Sequence, residues 1–187
     1  MDTEEFLVLD IETSGGDWTK FPFGFNLLFT GIRSQSLYSF YNSDSSTLSS
    51  LADILSSYKG TIVTFNGVKF DFPVLDYTFK SRLERNLNVY KHYDIFAEIK
   101  KQSGSPISLD RLSRYTFGSS KLEWDHKNNL STWINKPELL IDYNKNDLDL
   151  TYEIFMRILK RMPLFLDNSS VILEPPDNSA REGSGDA

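Results

Sequence analysis

The stretch Phe6-Leu7-Val8-Leu9-Asp10-Ile11-Glu12-Thr13 decides the fold. Four consecutive apolar residues run into two carboxylates that stand one residue apart. An unbroken apolar run of this length reads as a strand covered on both faces, hence as a central strand of a sheet. Residues i and i+2 of a strand point the same way, so Asp10 and Glu12 project side by side from the end of a buried element. Like charges held that close repel, and burial adds a desolvation cost to each. A divalent cation relieves both penalties, and hard oxygen donors suit Mg²⁺ or Mn²⁺. The competing reading is a strand that simply ends in solvated polar residues, so the pair needs support from the rest of the chain.

Working outward, Ser14-Gly15-Gly16-Asp17-Trp18 is a turn-rich loop. Residues 23–32 and 35–41 read as two further strands that form an antiparallel meander with the first. Leu48, Leu51, Ile54 and Leu55 predict an amphipathic helix over 47–58, ended by Lys59-Gly60. Residues 61–65 are a β-branched strand, parallel to the first because a helix intervenes. This strand runs into Asn66-Gly67-Val68-Lys69-Phe70-Asp71-Phe72-Pro73, where Asp71 is expected to cap a helix that opens at Pro73. Residues 89–95 read as a strand ending at Asp94, followed by a helix through Lys101 and a second, short helix over 108–115. The stretch 117–132 is polar and irregular, and Pro137 opens a last long helix that reaches about residue 161. Strands first, then alternating helix and strand, predict an α/β fold: a mixed central sheet, antiparallel N-terminal strands then parallel ones, flanked by helices. The expected domain covers 1–166. Residues 167–187, rich in Ser, Pro, Gly and acidic side chains, are expected as a flexible tail.

Composition narrows the function classes. The 187 residues carry 20 basic and 26 acidic side chains, a net charge of -6. A polyanionic partner therefore needs a local basic surface or bound cations. The absence of cysteine excludes a disulfide scaffold, a zinc ribbon and a thiol nucleophile. His92 and His126, the only two histidines, are too few for a histidine-based metal centre. No apolar run reaches the length of a membrane span. The acidic opening Met1-Asp2-Thr3-Glu4-Glu5 lacks the basic start of a signal peptide. A cytoplasmic protein without a membrane partner is the expectation. Against the acidic balance, the stretch 80–121 holds nine Lys or Arg and four Asp or Glu, with Tyr90, Tyr93, Tyr115 and Phe117 interleaved. That pattern suits a single strand, through phosphate contacts and base stacking; it equally describes a pair of solvated helix faces. Lys121, in the loop after Gly118, is the first candidate for a phosphate contact. Trp124 and Trp133 either pack under the last helix or stack on a base.

Ligands of open α/β sheets gather at the carboxyl ends of strands, which is where Asp10, Glu12 and Asp71 would meet. Tyr143 and Asp147 stand four apart on the last helix and share a face. Asp142 and Asp149 fall off that face and are expected in solvent. Two divalent ions about 4 Å apart are the usual device for in-line phosphodiester hydrolysis, and a phenol at Tyr143 is suited to hydrogen-bond the attacking water.

The pattern Asp10-x-Glu12, Asn66-x-x-x-Phe70-Asp71 and Tyr143-x-x-x-Asp147 resembles the three motifs of the DEDD (DnaQ-like) exonuclease superfamily, whose fold is ribonuclease H-like. Tyrosine four residues before the last aspartate places the resemblance with the tyrosine-type branch, which includes proofreading domains of family B DNA polymerases and stand-alone relatives. The histidine-type branch needs His at position 142, which is Asp142 here. The resemblance implies a metal-dependent 3′–5′ exonuclease acting on single-stranded DNA or RNA 3′ ends with two Mg²⁺ or Mn²⁺ ions. Asp10, Glu12 and Asp147 would ligate the catalytic ions, Asp71 would hold the second ion, and Tyr143 would orient the water. Asn66 and Phe70 would touch the terminal nucleotide or shape its pocket. Apart from the resemblance, Asp94 at its strand end is placed to support the site from behind or to cap the next helix. The motifs span the nuclease core alone, so a polymerase, or a repair or processing complex, is expected in trans. Two readings compete: a structure-specific endonuclease on the same fold, and a catalytically silent nucleic-acid-binding module.

Overall fold

Strand β1 (Phe6–Thr13) is covered on both faces, as its apolar run requires. Its odd residues Leu7, Leu9 and Ile11 join one core and its even residue Val8 joins another. The computed structural model describes residues 5–176; the acidic opening 1–4 and the end of the expected tail, 177–187, lie outside the described residues. Around β1 stand β2 (Leu27–Ser34), β3 (Leu37–Asn42), β4 (Thr61–Thr64) and β5 (His92–Asp94), in the order β3-β2-β1-β4-β5. The β1–β2 and β2–β3 pairs are antiparallel, and β1–β4 and β4–β5 are parallel. This is the mixed sheet the sequence predicts. The second strand starts later than expected, at Leu27: Phe25, inside the expected range, packs with Trp18 and Phe21 beside a 3₁₀ turn over Trp18–Lys20 that Asp17 caps. The strand expected over 89–95 is reduced to its last residues.

Helices α1 (Ser45–Ser57) and α2 (Asp71–Leu83) cover the odd face of β1. Helices α3 (Ile95–Ser103), α4 (Leu109–Phe117) and α6 (Pro137–Leu159) contribute to the core on the even face. Within the stretch read as irregular lies a short helix, α5 (Asn129–Asn135), whose apolar residues Leu130, Trp133 and Ile134 span only one helical repeat. At the expected domain end, β6 (Leu164–Phe165) pairs antiparallel with β7 (Ser170–Val171), which lies in the stretch expected as a tail, and Val171 and Leu173 are buried in the even-face core. No helix among the described residues is long and apolar enough to cross a membrane.

Two sets of contacts hold α6 against the sheet. Phe155 is fully buried, with its ring 4.7 Å from that of Phe6 and 5.4 Å from that of Tyr93. Asp149, expected in solvent, instead accepts from Arg33 Nη1 at 2.7 Å and from the Tyr38 hydroxyl. Helical periodicity places Asp149 away from Asp147, but strands β2 and β3 supply partners on that side. The Arg33 guanidinium also lies 3.8 Å over the Tyr152 ring. Phe155→Ala is expected to cost about 3–5 kcal/mol, the usual loss on emptying a buried aromatic site, measured by denaturant unfolding.

Candidate active site

The parity of β1 fixes the site. Asp10 and Glu12 share the even face with Val8, the face α6 crosses. One turn apart on α6, Tyr143 and Asp147 are both buried beneath that crossing. Beyond Val8 and Val63, the last paired residues of β1 and β4, the Ile11 N–H donates to Asp71 Oδ1 at 3.2 Å. This bond corrects the expected role of Asp71. The helix begins at Asp71 itself, Phe70 occupies the cap position without a side-chain cap bond, and the carboxylate is drawn to β1.

All eight residues singled out in the sequence line one cavity of about 820 Å³: Asp10, Glu12, Asn66, Phe70, Asp71, Lys121, Tyr143 and Asp147. Asn66 sits in the left-handed region at φ 70. Its N–H donates to Asp94 Oδ1 at 2.9 Å and that of Val68 donates to Asp94 Oδ2 at 3.0 Å. Asp94 also caps α3 through Ala97 N at 3.3 Å, the capping task expected of it. Lys121 Nζ is ion-paired with Asp147 Oδ2 inside the cavity and lies 5.3 Å from the centre of the Tyr143 ring. Trp124 stacks on Tyr143 and Trp133 on Phe29, so both tryptophans pack beside the last helix. Much of the basic stretch 80–121 reads as solvated helix face: Lys80, Arg85, Lys101 and Arg114 pair with surface carboxylates, and Tyr93 belongs to the core.

Four residues escaped the sequence reading: Trp18, His126 and Asn129 of the cavity wall, and Asn144, which partners Asp10 from behind it. Trp18 is 68% exposed and rests on Phe21, with ring centres 5.4 Å apart and planes 23° apart. Its ring is also 5.6 Å from that of Phe70. His126 meets the Tyr143 ring edge-on. Asn144 donates to Asp10 Oδ2 at 2.7 Å, and Asn129 to Glu12 Oε2 at 3.2 Å. Asn144 follows Tyr143 directly, the one positional signal among the four; the 121–129 segment offers no pattern.

Electrostatics make this a strained cluster. Burial, followed by the charges of Asp71, Asp147 and Glu12, raises the Asp10 carboxyl well above its ordinary range. Burial pushes Glu12 up to about 8 and Asp71 up to about 7. Asp147 is also raised by burial, against the pull of Lys121. Burial acts to depress the Lys121 ammonium, but Asp147, Tyr143 and Asp10 outweigh it and hold the group protonated. As placed, no three His, Asp or Glu side chains among the described residues form a site for a metal ion; Lys121 supplies the positive charge within the cluster. The donors nevertheless fit a hard divalent cation: they are all oxygen, mutually repelling, and include a buried Asp147 Oδ1 with no hydrogen-bond partner among the described residues. An acid whose folded pKa is raised holds extra protons in the native state, so stability falls as pH rises between the unfolded and folded values. Without metal, the melting temperature should fall from pH 7 to pH 8.5, as Asp71 and Glu12 ionise. His92, lowered by burial to about 4, acts only below its ordinary value near 6.5 and opposes this trend there. Asp71→Asn, whose amide oxygen can still accept from Ile11, should raise the metal-free melting temperature at pH 8.5 and flatten the slope.

Residues 7–158 match the RNase_H superfamily. In structure, the chain is similar to a family B DNA polymerase from the hyperthermophilic archaeon Pyrobaculum calidifontis, with a TM-score of 0.68 over 84% of this chain at 15% identity. The likeness spans 25% of that chain, and at this identity it speaks for the shared fold alone. The five-stranded mixed sheet flanked by helices is accordingly ribonuclease H-like, and the matched residues include every element that delivers a side chain to the cavity. By that match, the chain belongs to the RNase_H superfamily.

Proposed function

We propose that the protein is a metal-dependent 3′–5′ exonuclease of the tyrosine type, acting on single-stranded DNA or RNA ends with two Mg²⁺ or Mn²⁺ ions. The observation that carries this reading is the convergence of Asp10, Glu12, Asp71 and Asp147 with Tyr143 in one cavity. Asp10, Glu12 and Asp147 would ligate the catalytic ions, and Asp71 would hold the second. When bound, the ions lower the pKa of the attacking water and stabilise charge on the leaving oxygen. Burial and Asp147 raise the Tyr143 hydroxyl, so it stays protonated at neutral pH and orients the water by hydrogen bonding instead of acting as a base. Lys121 gives the scissile phosphate a tethered positive charge within a chain of net charge -6.

The walls favour an unpaired end. Trp18, Phe25 and Phe70 make an aromatic side to the cavity, and a stacked base needs such a face. Asn66, beside Phe70, contacts the same nucleotide. A second cavity of about 500 Å³ opens from Asp10, Asn66 and Asp147 past Phe65, Phe96 and Arg111, and offers the strand a continuation. The aromatic side and Lys121 suit a nucleic-acid substrate, and a polymerase, or a repair or processing complex, is the partner we expect.

A 5′-labelled single-stranded oligonucleotide incubated with Mn²⁺ should shorten stepwise from its far end. One internal product would indicate the endonuclease instead, and no divalent-dependent cleavage the silent binding module. Asp10→Ala should abolish cleavage with an unchanged circular dichroism spectrum, and retained cleavage would overturn the metal assignment. Tyr143→Phe should lower kcat about 10²-fold, the scale of a lost proton-handling group, with KM little changed.

A further inference from the structure

Two buried amides stand against the carboxylates without a part in the chemistry above. Asn144, at 0% exposure on α6, donates from Nδ2 to Asp10 Oδ2 at 2.7 Å. Its Oδ1 is buried with no hydrogen-bond partner among the described residues. That oxygen lies against Gly31, the residue opposite Asp10 across the β1–β2 pair, and a Cβ on Gly31 would come within 1.9 Å of it. The amide therefore fits only because β2 carries glycine at this register position. Asn129, at 2% exposure, donates from Nδ2 to Glu12 Oε2 at 3.2 Å and to the Thr13 carbonyl at 2.9 Å. Its Oδ1 accepts from Trp124 Nε1 at 2.6 Å, and Trp124 stacks on Tyr143.

A buried carbonyl left unpaired is costly, and an apolar side chain at position 144 would avoid that cost. What the amide supplies is a neutral donor. A lysine or arginine in its place would fix the carboxylate but cancel the charge a cation needs. An amide occupies one oxygen, sets the side-chain rotamer and leaves the negative charge in place.

We infer that Asn144 and Asn129 are positioning residues that fix Asp10 and Glu12 through neutral hydrogen bonds and hold both side chains oriented for a divalent cation, with Gly31 as the space that admits Asn144. This rests on the metal-dependent reading above. The test is calorimetric titration of Mn²⁺ alone into the full chain, free of substrate. Asn144→Leu and Asn129→Leu should each bind Mn²⁺ about 10–100-fold more weakly than the parent, the range for lost partners of metal ligands. Gly31→Ala should do the same by pushing the Asn144 amide aside. Asn144→Ser and Asn129→Ser, which keep polarity without the reach, replace the leucine variants if those lose the native spectrum. Cleavage by the asparagine variants should recover at saturating Mn²⁺, whereas cleavage by Asp10→Ala should not. Native-like variants that melt earlier but bind Mn²⁺ within about twofold of the parent would overturn the positioning role alone. A parent chain that binds no Mn²⁺ would overturn the nuclease reading and this inference with it.

Discussion

Repulsion among carboxylates gathered at the end of a covered strand is the constraint that the rest of the structure answers. Asp10, Glu12, Asp71 and Asp147 each raise the cost of ionising a neighbour, and burial raises the cost of ionising all of them. The fold answers with donors of different kinds. A backbone N–H of β1 meets Asp71, an ammonium meets Asp147, and side-chain amides meet Asp10 and Glu12. Each donor comes from a different part of the chain, so the cluster exists only when β1, α2, α5, α6 and the loop after α4 are all in place.

Holding such a cluster requires stability from elsewhere. The odd face of β1, packed against α1 and α2, is apolar throughout, and Leu48, Leu51, Leu55 and Leu75 are fully buried there. The even face is divided. Toward the start of β1 it is packed by Phe155, Ile154 and Leu148; toward its end it carries the charged groups. Helix α6 spans both halves, so its Phe6–Phe155–Tyr93 packing and its Arg33–Asp149 ion pair brace the Asp147 carboxylate. Proteins commonly break local rules at a functional site and compensate at a distance.

What the sequence made legible follows from periodicity. A strand buried on both faces must be an apolar run, so β1 was readable, and its parity alone aimed Asp10 and Glu12 at one side. Helical spacing aimed Tyr143 and Asp147 together in the same way. What stayed hidden was set by tertiary partners. Asp71 has the chemistry of a helix cap, but the unpaired Ile11 N–H lies within reach and takes its carboxylate. Asp149 points away from Asp147, but Arg33 and Tyr38 happen to stand there. The aromatic residues before β2 have strand propensity, yet they serve a cluster around Trp18. Asn129 sits on a seven-residue helix whose single apolar repeat, Leu130, Trp133 and Ile134, is too short to announce it.

The ion pair between Lys121 and Asp147 has a consequence for the order of events in the life of the chain. A zinc finger has no architecture until its metal arrives. Here an ammonium carried by the polypeptide itself already sits among the acids. On the proposed metal-dependent reading, newly made protein would complete its fold in cation-poor surroundings and load ions afterwards, so that folding and activation would be separate steps.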